Sequence, residues 1–335
     1  MRKVRLGRTG ICVNSNGFGA LPVQRVTLQE AVNLLRKAFD NGFDYFDTAR
    51  YYTDSEEKLG AALADVRDRI IISTKTGAKT AADFWKDLET SLRLLKTDHI
   101  DIYQFHNPSF VPMPGEENGL YDAMLKAKDQ GKILHVGITN HGLERAVASV
   151  ESGLYETLQF PFSYLSTEEE LALSALCAKH DVGLIAMKAL SGGLITDSAT
   201  AAAFMAQYPN VEPIWGIQRE SELDEFISYN LHEPVMDDEK RQRIERDRKE
   251  LSGEFCRGCG YCMPCPAGIE ISNCARMSLL LRRAPLSVHL NDVWRAKMEK
   301  VKDCRHCGRC KSKCPYGLDT PELLRRNYED FLTFL

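Results

Sequence analysis

Asp47-Thr48-Ala49-Arg50-Tyr51-Tyr52 directly follows the apolar, aromatic run Gly42-Phe43-Asp44-Tyr45-Phe46. Aromatic residues are favoured in β-strands, and a glycine on one side with polar residues on the other marks the ends of a short strand. The sequence therefore predicts that Asp47 closes a strand and that Tyr52 lies in the loop just beyond its carboxyl end. The first two thirds of the chain can be interpreted around this segment.

Two further strand-like runs end in side chains that can take part in chemistry. Lys75 closes one such run and His106 closes the next. The carboxyl ends of the strands of a parallel barrel open on one face, so residues far apart in sequence converge there. We therefore expect both side chains to share one site with Asp47 and Tyr52.

These four side chains are chemically complementary. A tyrosine is a weak acid with a reference pKa of about 10, and a nearby ammonium lowers that pKa. Lys75 would supply the ammonium and Asp47 would hold it in place. His106 would orient a carbonyl oxygen by a hydrogen bond while Tyr52 donates the proton. Taken singly, a lysine or histidine at a strand end is more often a structural group, but the set predicts an acid catalyst for reducing a C=O group with a hydride source.

A rhythm of strand and amphipathic helix organises the chain up to about residue 231. Apolar residues recur at helical spacing from Ala31 to Phe39, and Asn41-Gly42 is typical of a left-handed helix cap. Eight such repeats predict an α/β fold, a (β/α)8 TIM barrel, with an N-terminal hairpin in front of it. The predicted strands end near Ala20, Asp47, Lys75, His106, Asn140, Phe160, Met187 and Gly216.

The segment around Tyr52 resembles the aldo-keto reductase family. Residues 1–232 share this resemblance, which implies a TIM barrel that reduces a small-molecule carbonyl substrate with NADP or NAD as cofactor. The family element Ser-Glu-x-x-x-Gly is present at residues 55–60. The family pattern Asp-Thr-Ala-x-x-Tyr, then a strand lysine and a strand histidine, implies four catalytic residues, with the tyrosine as general acid: Asp47, Tyr52, Lys75 and His106.

The same resemblance implies cofactor contacts at the later strand ends. Many relatives stack an aromatic residue on the nicotinamide, whereas this chain has Met187, which can also pack on a ring. Many relatives bind the 2′-phosphate of NADPH with an arginine, whereas this chain has Glu222, with Arg219 as a compensating charge. A carboxylate repels phosphate but accepts from a ribose hydroxyl, so NADH and NADPH both stay open. The implied contacts are Gly19, Thr139, Asn140, Gln159, Met187, Lys188, Gly216, Gln218, Arg219 and Glu222.

Composition argues against several classes of function. The net charge is -4, the pI is near 6.1 and no extended basic tract occurs, so nucleic acid is not an expected partner. The chain lacks a run of 18 apolar residues and an apolar signal-peptide segment, so we expect a cytoplasmic protein without a membrane partner. The charged stretch Asp237–Leu251 predicts a solvated helix that ends at Ser252-Gly253, within a linker over residues 233–255.

Eight of the eleven cysteines form two quartets near the carboxyl end. In a reducing compartment such clustering indicates metal binding rather than disulfides. The second quartet has the spacing C-x2-C-x2-C-x3-C-P of bacterial ferredoxins, and the first is one residue shorter before its last cysteine. The pattern predicts two 4Fe-4S clusters, with zinc as the alternative. Cys12, Cys177 and Cys274 lie outside the pattern and are interpreted as ordinary small residues. The predicted ligands are Cys256, Cys259, Cys262 and Cys265, then Cys304, Cys307, Cys310 and Cys314.

Residues 256–335 are similar to dicluster ferredoxins, a small helical and loop domain that follows the barrel. In that arrangement the last cysteine of each quartet binds the other cluster, which would exchange Cys265 and Cys314 between the quartets. The combination resembles an iron-sulfur branch of the aldo-keto reductases.

The combination of cofactors leaves the electron path open. Hydride carries two electrons, clusters pass one at a time, and no flavin-type converter is evident in the sequence. Three hypotheses follow from this. The first is an NAD(P)H-dependent reductase whose clusters are structural or dock a redox partner. The second is a reductase fed by an external ferredoxin, with a vestigial nicotinamide site, and the third is a redox-sensing subunit with little turnover.

Overall fold

Eight parallel strands close into a barrel in the computed structural model, which describes residues 2–251, 255–283 and 286–335. Each barrel strand pairs with the next along the chain, and the last pairs back onto the first. The predicted (β/α)8 barrel is confirmed, with strands that end at or next to the predicted positions. The strands are β1 Lys3–Arg5, β2 Cys12–Asn14, β3 Gly17–Gly19, β4 Tyr45–Asp47, β5 Ile71–Thr76, β6 Ile100–His106, β7 Ile133–Thr139, β8 Thr157–Pro161, β9 Gly183–Met187 and β10 Val211–Gly216, of which β3 to β10 form the barrel.

The N-terminal hairpin closes the amino end of the barrel. Strands β1 and β2 pair antiparallel, with Val4 opposite Val13. The Asn14 N–H donates to Asp44 Oδ1 at 2.8 Å, and Asp44 immediately precedes β4. The hairpin buries its apolar side chains against the barrel interior in one cluster of Val4, Leu6, Val13, Tyr45, Ile102, Ile185 and Ile214.

Helices between the strands cover the outside of the barrel. The first helix begins after Thr27, whose side chain accepts from the Glu30 N–H while the Glu30 carboxylate accepts from the Thr27 N–H, a capping box. It ends before Gly42, which takes a φ of 94° that suits a residue without a Cβ. The helices of this unit are α1 Leu28–Asp40, α2 Ser55–Leu63, α3 Ala81–Leu95, α4 Leu120–Asp129, α5 Leu143–Glu151, α6 Glu168–Leu171, α7 Leu173–Lys179, α8 Ser198–Met205 and α9 Glu220–Leu231.

Aromatic packing fixes the strand that leads into the predicted site. Phe18, on β3, stacks on Phe46 of β4 with ring centroids 5.8 Å apart and meets Phe43 edge-on at 6.3 Å. All three side chains are fully buried, and burying a phenylalanine stabilises a fold by roughly 1.5–3 kcal/mol. Because Asp47 directly follows Phe46, this packing sets the position of Asp47.

The remaining residues form a second compact unit, made of Leu190–Asp197 and the chain from Asp238 onward. Its core contains apolar side chains such as Ile269, Met277 and Phe331. The predicted charged helix is present as α10 and belongs to this unit, while its predicted end at Ser252-Gly253 lies outside the described residues. Its helices are α10 Asp238–Glu250, α11 Ile271–Cys274, α12 Met277–Arg283, α13 Leu286–His289, α14 Asp292–Glu299, α15 Arg309–Ser312 and α16 Thr320–Leu332.

None of the helices in the described residues combines the length and the apolar character needed to cross a membrane.

Candidate active site and cysteine quartets

Parallel register brings the predicted catalytic side chains to adjacent strands. Asp47, the last residue of β4, lies opposite Ser73 of β5. Lys75, near the end of β5, lies opposite Gln104 of β6, and His106 is the last residue of β6. Three consecutive strands therefore present Asp47, Lys75 and His106 toward the same end of the barrel.

Lys75 and Asp47 form an ion pair inside the barrel. Lys75 Nζ lies 2.6 Å from Asp47 Oδ2 and donates to the Thr48 carbonyl oxygen at 2.6 Å. The two side chains are 1% and 3% exposed. Burial lowers the pKa of Lys75, and the neighbouring Asp47 carboxylate opposes that change. Since a single buried charge without a counter-ion is strongly unfavourable, each member of the pair holds the other in place.

Tyr52 and His106 meet beside this ion pair. Lys75 Nζ lies 5.4 Å from the centroid of the Tyr52 ring, within the range in which a cation is attracted by an aromatic ring. The Tyr52 and His106 rings are in edge-to-face contact, with centroids 5.8 Å apart. Tyr51, which is 63% exposed, stacks on His106 at 6.1 Å. The structure thus brings all four predicted catalytic side chains together.

His106 is neutral at physiological pH. Burial, reinforced by the charge of Lys75, lowers the pKa of His106 to about 3. A neutral imidazole keeps one N–H donor and one acceptor nitrogen. The ring can therefore donate a hydrogen bond to a substrate oxygen without adding a second positive charge beside Lys75.

Three buried polar side chains, Ser73, Gln104 and Gln159, are hydrogen-bonded to Asp47 or to one another next to the ion pair. Ser73 Oγ donates to Asp47 Oδ1 at 2.9 Å, and Gln104 Nε2 donates to Ser73 Oγ at 2.7 Å and to Gln159 Oε1 at 2.9 Å. Gln159 Nε2 donates to Asp47 Oδ2 at 3.4 Å. Sequence reasoning missed Ser73 and Gln104. No sequence signal singles them out, because other polar residues lie beside them in the same strands, IISTKT and IDIYQFH.

The Ser-Glu-x-x-x-Gly element has a structural role next to the site. Glu56 is 1% exposed and forms an ion pair with Arg50. Its Oε1 accepts from Thr74 Oγ1 and from Ser91 Oγ, each at 2.7 Å. This buried carboxylate anchors the loop that carries Tyr51 and Tyr52.

Two parts of the chain match the sequence profiles of known families. Residues 15–211 match the sequence profile of the Aldo/keto reductase family, and residues 255–319 match that of the 4Fe-4S dicluster domain. The chain belongs to the aldo/keto reductase family. The predicted family, its oxidoreductase class and the C-terminal dicluster domain are confirmed.

Relatives of this aldo/keto reductase agree with the assignment. The chain is 31% identical over 211 residues to L-galactose dehydrogenase of Arabidopsis thaliana, a match that covers 57% of this chain and 66% of the relative. It is 30% identical over 189 residues to the aldo-keto reductase YhdN of Bacillus subtilis, covering 51% and 55%. The chain therefore spans between about half and two thirds of the length of these curated relatives.

Solved structures of other aldo-keto reductases share the fold. The enzyme of Bacillus halodurans, in its holo form, matches with a TM-score of 0.66 and 21% identity over 77% of this chain and 99% of that one. The enzyme of Klebsiella pneumoniae, solved in complex with NADPH, matches with a TM-score of 0.61 and 24% identity over 73% and 94%.

Among the predicted cofactor contacts, Asn140 has unused hydrogen-bonding capacity. Its side chain is fully buried and Nδ2 donates to Ser149 Oγ at 3.1 Å, while Oδ1 has no partner among the described residues. Thr139 Oγ1 accepts from the Asn107 N–H at 2.9 Å. Gln159, in contrast, uses both ends of its amide within the barrel. Asn140 therefore offers an acceptor to a ligand that can donate.

Four other predicted contacts lie at strand ends. Met187 is the last residue of β9, and Lys188, with a φ of 57°, starts the segment after it. Gly216 closes β10 opposite Gly19 of β3. A Cβ at Gly19 would lie 3.1 Å from the Trp215 carbonyl oxygen, so the close approach of β3 and β10 favours glycine there.

The three predicted adenosine-end contacts interact with one another. Glu222 Oε2 accepts from the Gln218 N–H at 2.9 Å and from the Arg219 N–H at 3.0 Å. Glu222 Oε1 accepts from Arg219 Nη2 at 2.6 Å. The carboxylate therefore occupies the amino end of α9 and pairs with Arg219, the cation predicted to compensate its charge.

The described cysteines of the two quartets differ in exposure. Cys256, Cys262 and Cys310 are buried, and Cys307 is exposed. Five of the eight line one cavity: Cys262, Cys265, Cys304, Cys307 and Cys310. In the described residues, no group of three or more histidine, cysteine or acidic side chains forms a site for a single metal ion. Several thiols around one cavity are the donor set that an iron-sulfur cluster requires.

Electrostatic neighbours of the cysteines cross between the quartets. Burial raises the pKa of Cys256, the Gly258 N–H opposes this at 3.4 Å from Sγ, and Cys259 and Cys314 raise the pKa further. Burial likewise raises the pKa of Cys310, with added contributions from Cys304 and Cys265. Cys314 thus neighbours Cys256 of the first quartet, Cys265 neighbours Cys310 of the second, and Cys310 also raises the pKa of Cys262.

Proposed function

We propose that this aldo/keto reductase reduces a small aldehyde or ketone with a nicotinamide cofactor, using Tyr52 as general acid. The observation that carries the proposal is the buried pair in which Lys75 Nζ lies 2.6 Å from Asp47 Oδ2 and 5.4 Å from the centroid of the Tyr52 ring. A pocket that keeps a charged lysine beside a tyrosine lowers the pKa of the phenol, which is what proton donation near neutral pH needs.

Each residue has a distinct task in this proposal. A nicotinamide held at this site would supply the hydride for the carbonyl carbon. Tyr52 gives its proton to the carbonyl oxygen, and Lys75 stabilises the phenolate that results. Asp47 keeps Lys75 charged and in position, and the neutral ring of His106 donates a hydrogen bond that orients the oxygen before proton transfer.

Asn140 fits the cofactor best among the predicted contacts. Its buried Oδ1, which lacks a partner among the described residues, would accept from the carboxamide of the nicotinamide, next to Thr139. At the adenosine end, Glu222 is engaged with Arg219 and with two backbone N–H groups. This arrangement favours NADH, because NADPH would bring a phosphate to a carboxylate.

The two 4Fe-4S clusters would bind across the quartets. Cys256, Cys259, Cys262 and Cys314 would hold one cluster, and Cys265, Cys304, Cys307 and Cys310 the other, as the neighbours of Cys256 and Cys310 indicate. Because thiolate ligands and clusters persist in reducing surroundings, we place the protein in the cytoplasm. The exposure of Cys307 favours a second candidate function, reduction fed by electrons from an external ferredoxin.

The test compares Tyr52→Phe with its neighbour Tyr51→Phe. Both replacements remove one hydroxyl, but only the first removes the proposed acid. We expect Tyr52→Phe to lower kcat for carbonyl reduction by about 100- to 10,000-fold, with NADH affinity unchanged when followed by nicotinamide fluorescence. Tyr51→Phe should stay close to wild type. Equal effects of the two substitutions would show that Tyr52 is not the acid.

An anaerobic titration separates the two candidate functions. Cluster-replete protein is mixed with NADH or NADPH, and nicotinamide fluorescence and cluster absorbance are followed together. Saturable binding without bleaching of the clusters supports hydride-driven reduction. No binding of either cofactor supports the ferredoxin-fed alternative.

A further inference from the structure

The second cysteine loop is strongly basic. Between Lys300 and Lys313 there are six lysine and arginine residues and one acidic residue, Asp303, although the whole chain has a net charge of -4. Cys307 lies in the middle of this segment and is exposed, unlike the other seven quartet cysteines. Positive charge and an exposed cluster ligand therefore coincide on the surface of this unit.

Three of the six cations form no ion pair in the described part of the chain. Arg305, Arg309 and Lys313 are exposed, and none of them forms an ion pair with a described aspartate or glutamate. The other three cations pair with nearby acids: Lys300 with Asp303, Lys302 with Glu299 and Lys311 with Asp319. We call the three side chains without an ion pair the basic cluster surface; two of them, Arg305 and Arg309, line the same cavity as Cys307.

Cluster binding by itself does not require this surface. The first quartet spans Cys256–Cys265 and contains one cation, Arg257, whose guanidinium lies 4.7 Å from the centroid of the Tyr316 ring. None of the four cysteines of that quartet is exposed. The two cysteine loops share their ligand chemistry but differ in charge and exposure.

We propose that the basic cluster surface docks a small acidic one-electron carrier protein of the ferredoxin class. Cys307, being exposed, would hold a cluster close to the surface, and the cations without ion pairs there would attract a negatively charged partner. Such steering raises association rates by about 10- to 1000-fold at low salt. In the docked pair the carrier would lose one electron and a cluster held by the second quartet would gain it, with no bond broken and no proton moved. The proposal depends on the proposed cluster ligands and not on the hydride reaction.

The experiment measures association of the cluster-loaded protein with a strongly acidic bacterial 4Fe-4S ferredoxin. The test variant carries Arg305→Glu, Arg309→Glu and Lys313→Glu. The control carries three exposed reversals on the barrel unit, at Arg25, Arg93 and Lys126, so that the net charge changes equally. Binding is followed by biolayer interferometry, and electron transfer by anaerobic stopped flow, at low salt and near 0.15 M, where the Debye length is about 8 Å.

We expect the test variant to associate about 10- to 1000-fold more slowly than the control at low salt, and to lose the salt dependence that wild type and control show. Equal association of test and control variants overturns the proposal. So does a shift of cluster potential without a change in binding, because the cations would then only balance cluster charge.

Two further measurements keep the test informative. If the triple variant loses iron, the single variant Arg309→Gln, which removes one charge, is tested in its place. Its association with the ferredoxin should be slower than that of wild type, but by less than in the triple variant. Unchanged association in that variant also counts against docking. NADH-dependent carbonyl reduction, assayed without the carrier, reports separately on the hydride reaction.

Discussion

Replacing Lys75 by methionine separates the structural from the catalytic role of the central ion pair. The substitution keeps a flexible side chain of similar length but removes the charge that neutralises Asp47. Asp47 would retain hydrogen bonds from Ser73 and Gln159, yet its side chain is 3% exposed and cannot be rehydrated in place.

The magnitude follows from the burial of the pair. Removing one member of a buried ion pair costs about 3–5 kcal/mol, and for domains of about 150–250 residues each kcal/mol lowers Tm by roughly 2–4 °C. We therefore expect the Tm of Lys75→Met to fall by about 6–20 °C. Turnover should fall by about 100- to 10,000-fold, since proton donation by Tyr52 loses its adjacent charge.

The double variant Asp47→Asn with Lys75→Met is the decisive control. Replacing both charges of a buried pair is often close to neutral for stability, so the Tm should recover while activity stays low. Thermal unfolding is followed by circular dichroism, and turnover by oxidation of the nicotinamide. The reasoning is refuted if Lys75→Met is no less stable than the exposed variant Lys126→Met, or if it keeps activity within about tenfold of wild type.

Three further predictions concern other groups. The folded-state pKa of His106 is about 3, below its ordinary value of 6.5, so its contribution to stability is present above pH 6.5 and is lost as the pH falls toward 3. In His106→Gln, the free energy of unfolding measured with urea should therefore depend less on pH over that range. An unchanged pH dependence contradicts this. Glu222→Gln removes the exposed ion pair with Arg219, which is worth about 0.2–1 kcal/mol, and leaves the guanidinium available to a phosphate. The kcat/KM for NADPH divided by that for NADH should therefore rise about 1.4- to 5-fold. A fall in this ratio would exclude the proposed arrangement. Cys307→Ser should lower the iron bound per chain. The control is Cys274→Ser, which should keep its iron, because the native Cys274 sulfur lies 3.6 Å from the Lys297 carbonyl oxygen and outside the quartets. Equal iron loss in the two variants would remove Cys307 from the ligand set.

Much of the fold and part of the site could be predicted from strand ends and cysteine spacing. Asp47, Lys75 and His106 each close an apolar run, and parallel strands open on one face of a barrel, so their convergence follows once the eight strands are recognised. The quartets could be found because ligand spacing around a cluster is short-range and is written directly in the sequence.

Ser73 and Gln104 could not be found in the same way. A barrel strand packed on both faces has no alternation of polar and apolar residues, so the sequence does not show which side chains point inward. Their place around Asp47 depends on the register between β4, β5 and β6, which only the tertiary structure fixes.

The sequence by itself determined the number and order of the barrel strands, the four side chains at their ends and the two cysteine quartets, because each is a local pattern of spacing and polarity. Only the tertiary structure decided which polar groups are paired. It pairs the Glu222 carboxylate with Arg219 and leaves Asn140 Oδ1 without a partner among the described residues. It also exposes Cys307 in a segment where three cations form no ion pair with a described residue. These outcomes depend on distances between residues that register, helix start and packing bring together, and such distances are not encoded in any one stretch of the chain.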